Sequence, residues 1–196
     1  KDSSLKQIPY FTNLIVKRCI DSKIESVFDL LDMDDQPRRD LLEMTETQLV
    51  KIAEFCNKYP SIEVKHTVFN DGYVNATDNV PITIELERDE EVSGSVVAPF
   101  FPYPRDEAIW VVIADSTANT LLAIKRISLQ KASSIKLDIS APEEPGQHNY
   151  SLYVISDSYM GSDQEFTISL HVNAPRENRK RKAINDEPEP ETKIQI

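Results

Sequence analysis

Up to residue 60 the apolar positions recur at helical spacing, and beyond it they recur at every second residue. The sharpest helical signal is Thr45-Glu46-Thr47-Gln48, a capping box. The Thr45 hydroxyl can accept the amide of the third helical residue while Gln48 reaches back to the cap. Leu49, Ile52, Ala53 and Cys56 then follow at i, i+3, i+4 and i+7 as one buried stripe. The helix must stop near Tyr59-Pro60, because the residue before a proline disfavours helical angles. Upstream, Phe11, Leu14, Ile15 and Arg18 predict a helix running into Ile20, and residues 26–31 predict a short second one. Asp35-Gln36-Pro37 predicts the start of a third, with proline tolerated in the first turn. Residues 1–60 are therefore expected to form a small helical domain.

After Pro60 seven alternating runs predict strands: Ile62-Val64, Ile82-Ile84-Leu86, Ile109-Val111-Ile113, Leu122-Ile124, Ile135-Leu137-Ile139, Tyr150-Leu152-Val154 and Phe166-Ile168-Leu170-Val172. Turn clusters such as Asn70-Asp71-Gly72 separate them, and no long helical pattern intervenes, so the sheets should be antiparallel. Seven short strands with a lone Trp110 on the third fit an immunoglobulin-like or fibronectin-type β-sandwich over residues 61–175. Tyr150, placed shortly after Pro145-Gly146, is the expected tyrosine corner. The remainder, residues 176–196, is nearly devoid of apolar residues and reads as a disordered charged tail. The fold class expected is thus α+β, a small all-α helix-loop-helix domain followed by a seven-stranded antiparallel sandwich.

Charge sharpens this picture. The net charge of −11 is concentrated in residues 61–175, where 7 basic residues face 17 acidic ones. Such a surface repels phosphate, since nucleic-acid affinity comes largely from cations that release condensed counterions. No apolar run reaches the roughly 18 to 20 residues of a membrane span, and the first residues lack a signal-peptide core. A soluble intracellular protein with no membrane partner is expected. Cys19 and Cys56 show neither zinc nor disulfide spacing and read as small apolar core residues.

Candidate chemistry is sparse. The four glycines, at 72, 94, 146 and 161, offer no phosphate-loop spacing, so no nucleotide or other cofactor is expected. His66, His148 and His171 lie far apart on strand patterns and read as exposed strand residues. The stretch Ser156-Asp157-Ser158-Tyr159-Met160-Gly161-Ser162-Asp163 gathers hydroxyls and carboxylates. His148, the nearest base, sits toward the other end of an extended strand, out of reach of those serines. Asp157, Asp163 and Glu165 could supply calcium oxygens but lack the D-x-[DN]-x-[DN]-G spacing, so a strand connection turned by Gly161 is the better reading. Arg179-Lys180-Arg181-Lys182 suits RNA contact, nuclear import or a merely solvated tail.

Several longer stretches are recognisable. ITIELERDEEVSGSVVAPFF, Phe101-Pro102, Trp110-Val111-Val112-Ile113, Ile124-Lys125-Arg126 and the Ser156 to Gly161 stretch resemble the C-terminal end of the pre-mRNA-splicing RNA helicase family of the U5 small nuclear ribonucleoprotein. Val27-Phe28-Asp29, Leu41-Leu42 and Phe55-Cys56-Asn57 match as well, so the resemblance covers nearly all of residues 5–172. It implies the last two pieces of the second Sec-homology module, a helix-loop-helix domain and a sandwich. The parent helicases unwind paired U4 and U6 RNAs with ATP, chiefly through their first cassette. The second cassette resembles a pseudo-enzyme that stimulates the first and docks splicing proteins. Two departures stand out: Ile109-Trp110 replaces a tryptophan pair, and no glycine before Gly72 is available for a phosphate-cupping hairpin.

The resemblance implies a nuclear, non-catalytic interaction and regulatory region. Its partners would be spliceosomal proteins, other U5 components among them, and the helicase cassettes of its own parent. Candidate protein contacts are Phe100, Phe101 and Tyr103 in the proline-punctuated loop, with Tyr159 and Met160 at the strand connection. The alternative is an RNA-contacting module that guides single strands leaving the helicase core, using Lys17, Arg18, Arg38 and Arg39.

Overall fold

The computed structural model describes residues 2–174. The tail over 176–196, with its Arg179 to Lys182 cluster, lies outside the described residues.

Three of the four helices start at a side-chain cap. α1 (Asn13–Asp21) begins at Thr12, whose hydroxyl accepts the Ile15 amide. α2 (Val27–Leu31) begins at Ser26 with a capping box closed by Asp29. α3 (Asp35–Leu42) carries Pro37 in its first turn and ends on Glu43 in the left-handed region. α4 (Glu46–Lys58) has both arms of the Thr45/Gln48 box in place and stops at Tyr59, which is extended before Pro60. A single 3₁₀ turn, Ser4–Gln7, precedes α1 and drives Leu5 into the cluster formed by Val16, Cys19, Leu30, Ile52 and Phe55.

Eight strands follow: β1 (Ile62–Val68), β2 (Tyr73–Asn75), β3 (Asn79–Arg88), β4 (Ile109–Asp115), β5 (Thr120–Ile127), β6 (Ala132–Ser140), β7 (Gly146–Ser156) and β8 (Gln164–Asn173). They make a three-stranded sheet in the order β1-β3-β6 and a five-stranded sheet in the order β2-β8-β7-β4-β5. Alternation fixes the register, because a one-residue slip would turn every apolar side chain to solvent. Val64 thus faces Leu86, Ile84 faces Ile135, and Tyr150 faces Ile168. Ile82, Ile84 and Leu86 from one sheet and Val111, Leu152 and Ile168 from the other belong to one buried cluster, so both sheets close over a shared core.

Two expectations need correcting. All seven expected strands are present, but the sheets hold an eighth, β2, and it pairs with β8 in parallel, so the larger sheet is not purely antiparallel. Three residues are too few to show an alternation. What sets β2 beside β8 is Gly72, with φ at +83°; a Cβ there would lie 2.4 Å from the Ser169 carbonyl oxygen. Tyr150 does pack into the core, but its hydroxyl makes no hydrogen bond among the described residues, so the corner bond is not formed.

Thr45→Ala removes the acceptor of the α4 cap and is expected to destabilise the protein by about 1 kcal/mol. Urea unfolding monitored by circular dichroism measures it.

Candidate protein-interaction site

The turn between β7 and β8 is where the helices meet the sheets. At the end of β7, the Ser156 hydroxyl donates to Glu107 Oε1 at 2.6 Å and accepts the amides of Ser158 and Tyr159 at 3.2 and 3.1 Å. Those bonds curl the chain sharply and aim Tyr159 away from the sheet. Its ring enters the helical cluster, edge-on to Phe55 at 5.6 Å and to Tyr59 at 5.8 Å between centroids. Tyr159 is only 4% exposed. It therefore belongs to the interior and cannot serve as the exposed contact expected of it. Burying one tyrosine and gaining edge-to-face aromatic contacts contributes on the order of 2–4 kcal/mol.

The next residue is clasped from the helical side. Gln7 Nε2 donates to the Met160 carbonyl at 2.7 Å, the Met160 amide donates to Gln7 Oε1 at 2.9 Å, and the Tyr59 hydroxyl donates to the same carbonyl at 2.9 Å. Gly161 completes the passage with φ at +88°; a Cβ there would sit 2.9 Å from Ser4 Cβ and 3.3 Å from the Tyr59 hydroxyl. Burial, chiefly, pushes the Tyr59 and Tyr159 phenols up, so both stay protonated at neutral pH.

Asp157 fixes the other flank. Its backbone amide donates to the Ala108 carbonyl, and its carboxylate accepts the Ala108 amide at 3.0 Å and the Ser158 hydroxyl at 2.6 Å. Arg126 and Arg105 reach the same carboxylate at 2.5 and 3.1 Å. Partial burial pushes the Asp157 carboxyl up, but the Ser158 and Ala108 hydrogen bonds and the two guanidiniums outweigh it and hold the group below the usual carboxylate range. Nearby, Arg88 and Glu107 form a buried ion pair, and Arg88 Nε also donates to the Leu129 carbonyl at 3.0 Å. Removing one partner of such a pair costs about 3–5 kcal/mol, since the other charge is left buried alone.

These bonds hold the base of the 89–108 loop. The Val97 amide donates to the Tyr159 hydroxyl at 3.2 Å, and Val96 and Val97 pack on the helical cluster. The tip is a turn closed by the Phe101 amide on the Ala98 carbonyl, with Pro99 inside it. Phe101 and Tyr103 stack edge-on at 5.5 Å, and Arg105 lies over the Phe101 ring at 5.7 Å. Phe100 is 87% exposed and Tyr103 68% exposed. The Met160 side chain is also exposed at the clasp.

The sequence-derived candidates sort clearly. Phe100, Phe101, Tyr103 and Met160 are at the surface, on a rigidly held base. The cationic group is largely spent on the fold: Arg18 pairs with Glu43 at 2.8 Å and donates to the Leu41 carbonyl, and Arg39 pairs with Glu46. Arg38 donates to the carbonyls of Leu31 and Met33 and lies 3.5 Å from Asp35. Lys17 is exposed and, among the described residues, has no ion-pair partner. Asp157, Asp163 and Glu165 do not converge, and no group of three or more metal-ligating side chains occurs among the described residues. Burial pushes the Cys56 thiol up to about 11, which leaves it un-ionised at neutral pH.

Gln7, Tyr59, Glu107 and Arg88 escaped the sequence reading. Arg88 had a signal: it shares the parity of Ile82, Ile84 and Leu86 and so falls on the core face of β3, where a charge demands a partner.

Residues 3–169 match the Sec63 Brl domain family. The chain is 48% identical over 172 residues to the U5 small nuclear ribonucleoprotein 200 kDa helicase of Drosophila melanogaster, and 48% identical over the same length to that of Homo sapiens. It is 42% identical over 179 residues to the pre-mRNA-splicing factor brr2 of Schizosaccharomyces pombe. These alignments cover 88–89% of the chain and about 8% of each relative, so the chain spans a small part of the proteins it matches.

Gly161→Ala is expected to destabilise the protein by about 1–3 kcal/mol, through strain at positive φ and the collision with Ser4, as read by chemical denaturation. A depressed carboxyl stabilises the folded state above its unfolded value of about 4, and that stability is lost as pH falls through the folded value. Asp157→Asn should therefore be less stable than the parent at pH 7. The gap should shrink as the pH drops below about 4, in urea titrations at both pH values.

Proposed function

This chain belongs to the Sec63 Brl domain family, and on that premise we propose that it is a non-catalytic interaction and regulatory region of an ATP-dependent spliceosomal RNA helicase. In this reading residues 1–60 are a helix-loop-helix domain, and residues 61–175 an immunoglobulin-like sandwich. The parent protein is nuclear and unwinds U4/U6 RNA. The chain itself supplies a rigid arm against which other U5 components and the parent's helicase cassettes dock. The relatives' names support the setting. The observation that supports the role is the 99–104 loop: three aromatic side chains are held partly or fully in solvent while the base of the same loop is bonded to the β7–β8 turn. An exposed aromatic on a pre-organised base loses little entropy on binding, which is the property of an interface anchor.

An RNA-guiding role draws less support. Arg18, Arg38 and Arg39 each already lie against a carboxylate, which leaves fewer free cations to release counterions on RNA binding.

The double variant Phe100→Ala/Tyr103→Ala is expected to keep the parent melting temperature within about 2 °C, as both rings are exposed. It should also lose at least tenfold of its binding to purified U5 protein components in a surface-immobilised assay. Unchanged binding to every component that the parent chain retains would defeat the proposal.

A further inference from the structure

A sheet edge presents unpaired backbone amides and carbonyls that can recruit another strand, and natural edges are usually blunted by charge, polarity or shortness. Three of the four edges here are blunted. β1 turns Glu63 and Lys65 outward, β6 exposes Ser134, Lys136 and Asp138, and β2 is three residues long. The fourth edge, β5, also carries Lys125 and Arg126, and its ladder with β4 shifts register at Ile113/Ala114, but it exposes two large apolar side chains beside those cations.

β5 is eight residues long, pairs among the described residues only with β4, approaches β6 without pairing with it, and reads Thr-Leu-Leu-Ala-Ile-Lys-Arg-Ile. Leu121 is 57% exposed and Ile124 49% exposed. Ile124 lies in register with Val112 on β4, which in turn faces Tyr153 on β7. The apolar surface therefore continues inward from the edge across three strands. Apolar surface of this kind next to a free edge is the pattern that peptide-accepting sheets use.

The charge at the edge selects the occupant. The described segment is strongly acidic, yet β5 carries two cations and no carboxylate. Arg126 is engaged by Asp157 and lies 5.7 Å over the Trp110 ring. Lys125 is exposed and has no ion-pair partner among the described residues.

We propose that the free edge of β5 accepts an extended segment of another protein as a sixth strand of the larger sheet, a segment that alternates apolar residues with carboxylates. Main-chain hydrogen bonds supply affinity, apolar side chains pack beside Ile124, and carboxylates meet Lys125. A second copy of this chain is a poorer occupant, because its β5 brings the same two cations and no acid to the contact. This surface is separate from the aromatic loop and does not depend on the spliceosomal setting.

The test uses the full 196-residue chain and two nine-residue peptides, one alternating valine with glutamate and the other valine with lysine. Nuclear magnetic resonance hydrogen exchange should show alternate amides within 120–127 protected by the glutamate peptide. That peptide should bind at least tenfold more tightly than its lysine counterpart, and Lys125→Glu should reverse the preference while Lys65→Glu on β1 leaves it intact. Both substitutions fall on exposed side chains, so circular dichroism should match the parent. Protection at another edge, equal affinity for the two peptides, or self-association through β5 would overturn the proposal.

Discussion

The insertion of the Tyr159 ring into the helical cluster holds this molecule together as one body. The helices and the sheets each have their own buried core. Tyr159 is the residue on the β7–β8 turn that belongs to the helical one. The Ser156 hydroxyl shapes the turn that delivers it, the Met160 clasp locks it, and Gly161 lets the chain leave without striking Ser4. Val96 and Val97, which pack on the same helical cluster, and the Lys58 bond to the Ser95 carbonyl add to this tie across the short linker at Pro60.

The same turn governs the surface. Asp157 draws Arg105 and Arg126 together, and Arg105 lies beneath Phe101, so the exposed aromatic loop and the β5 edge both refer back to one carboxylate. Electrostatics here serve position more than attraction. The arginines on the helical side, Arg18, Arg38 and Arg39, are engaged by carbonyls and carboxylates, while Lys17 stays exposed without an ion-pair partner among the described residues.

Much of the fold was legible in the chain. Three of the four helices begin at a residue whose side chain satisfies a backbone amide locally, Thr12, Ser26 and Thr45, while α3 starts at Asp34–Asp35 without a side-chain cap bond and carries Pro37 in its first turn. Seven strands follow from the period-two pattern, because alternation is a property of neighbours along the chain. β2 was not legible, being three residues fixed by the close approach of Gly72 to Ser169. Of the candidate site, the exposed loop aromatics could be named from their proline-punctuated context, but nothing local could separate them from Tyr159.

By itself, then, the sequence determined the element types, the period change at Pro60, the acidic character of the β region and the membership of the residues that match the family. Those depend on local propensity, spacing and composition. The tertiary structure alone decided which exposed-looking groups are spent: Tyr159 on the helical core, Arg18, Arg38 and Arg39 on nearby oxygens, and Asp157 on two arginines distant in the chain. A side chain's partners are set by what folding brings within a few ångströms of it, and for Tyr159 those partners lie about a hundred residues away along the chain.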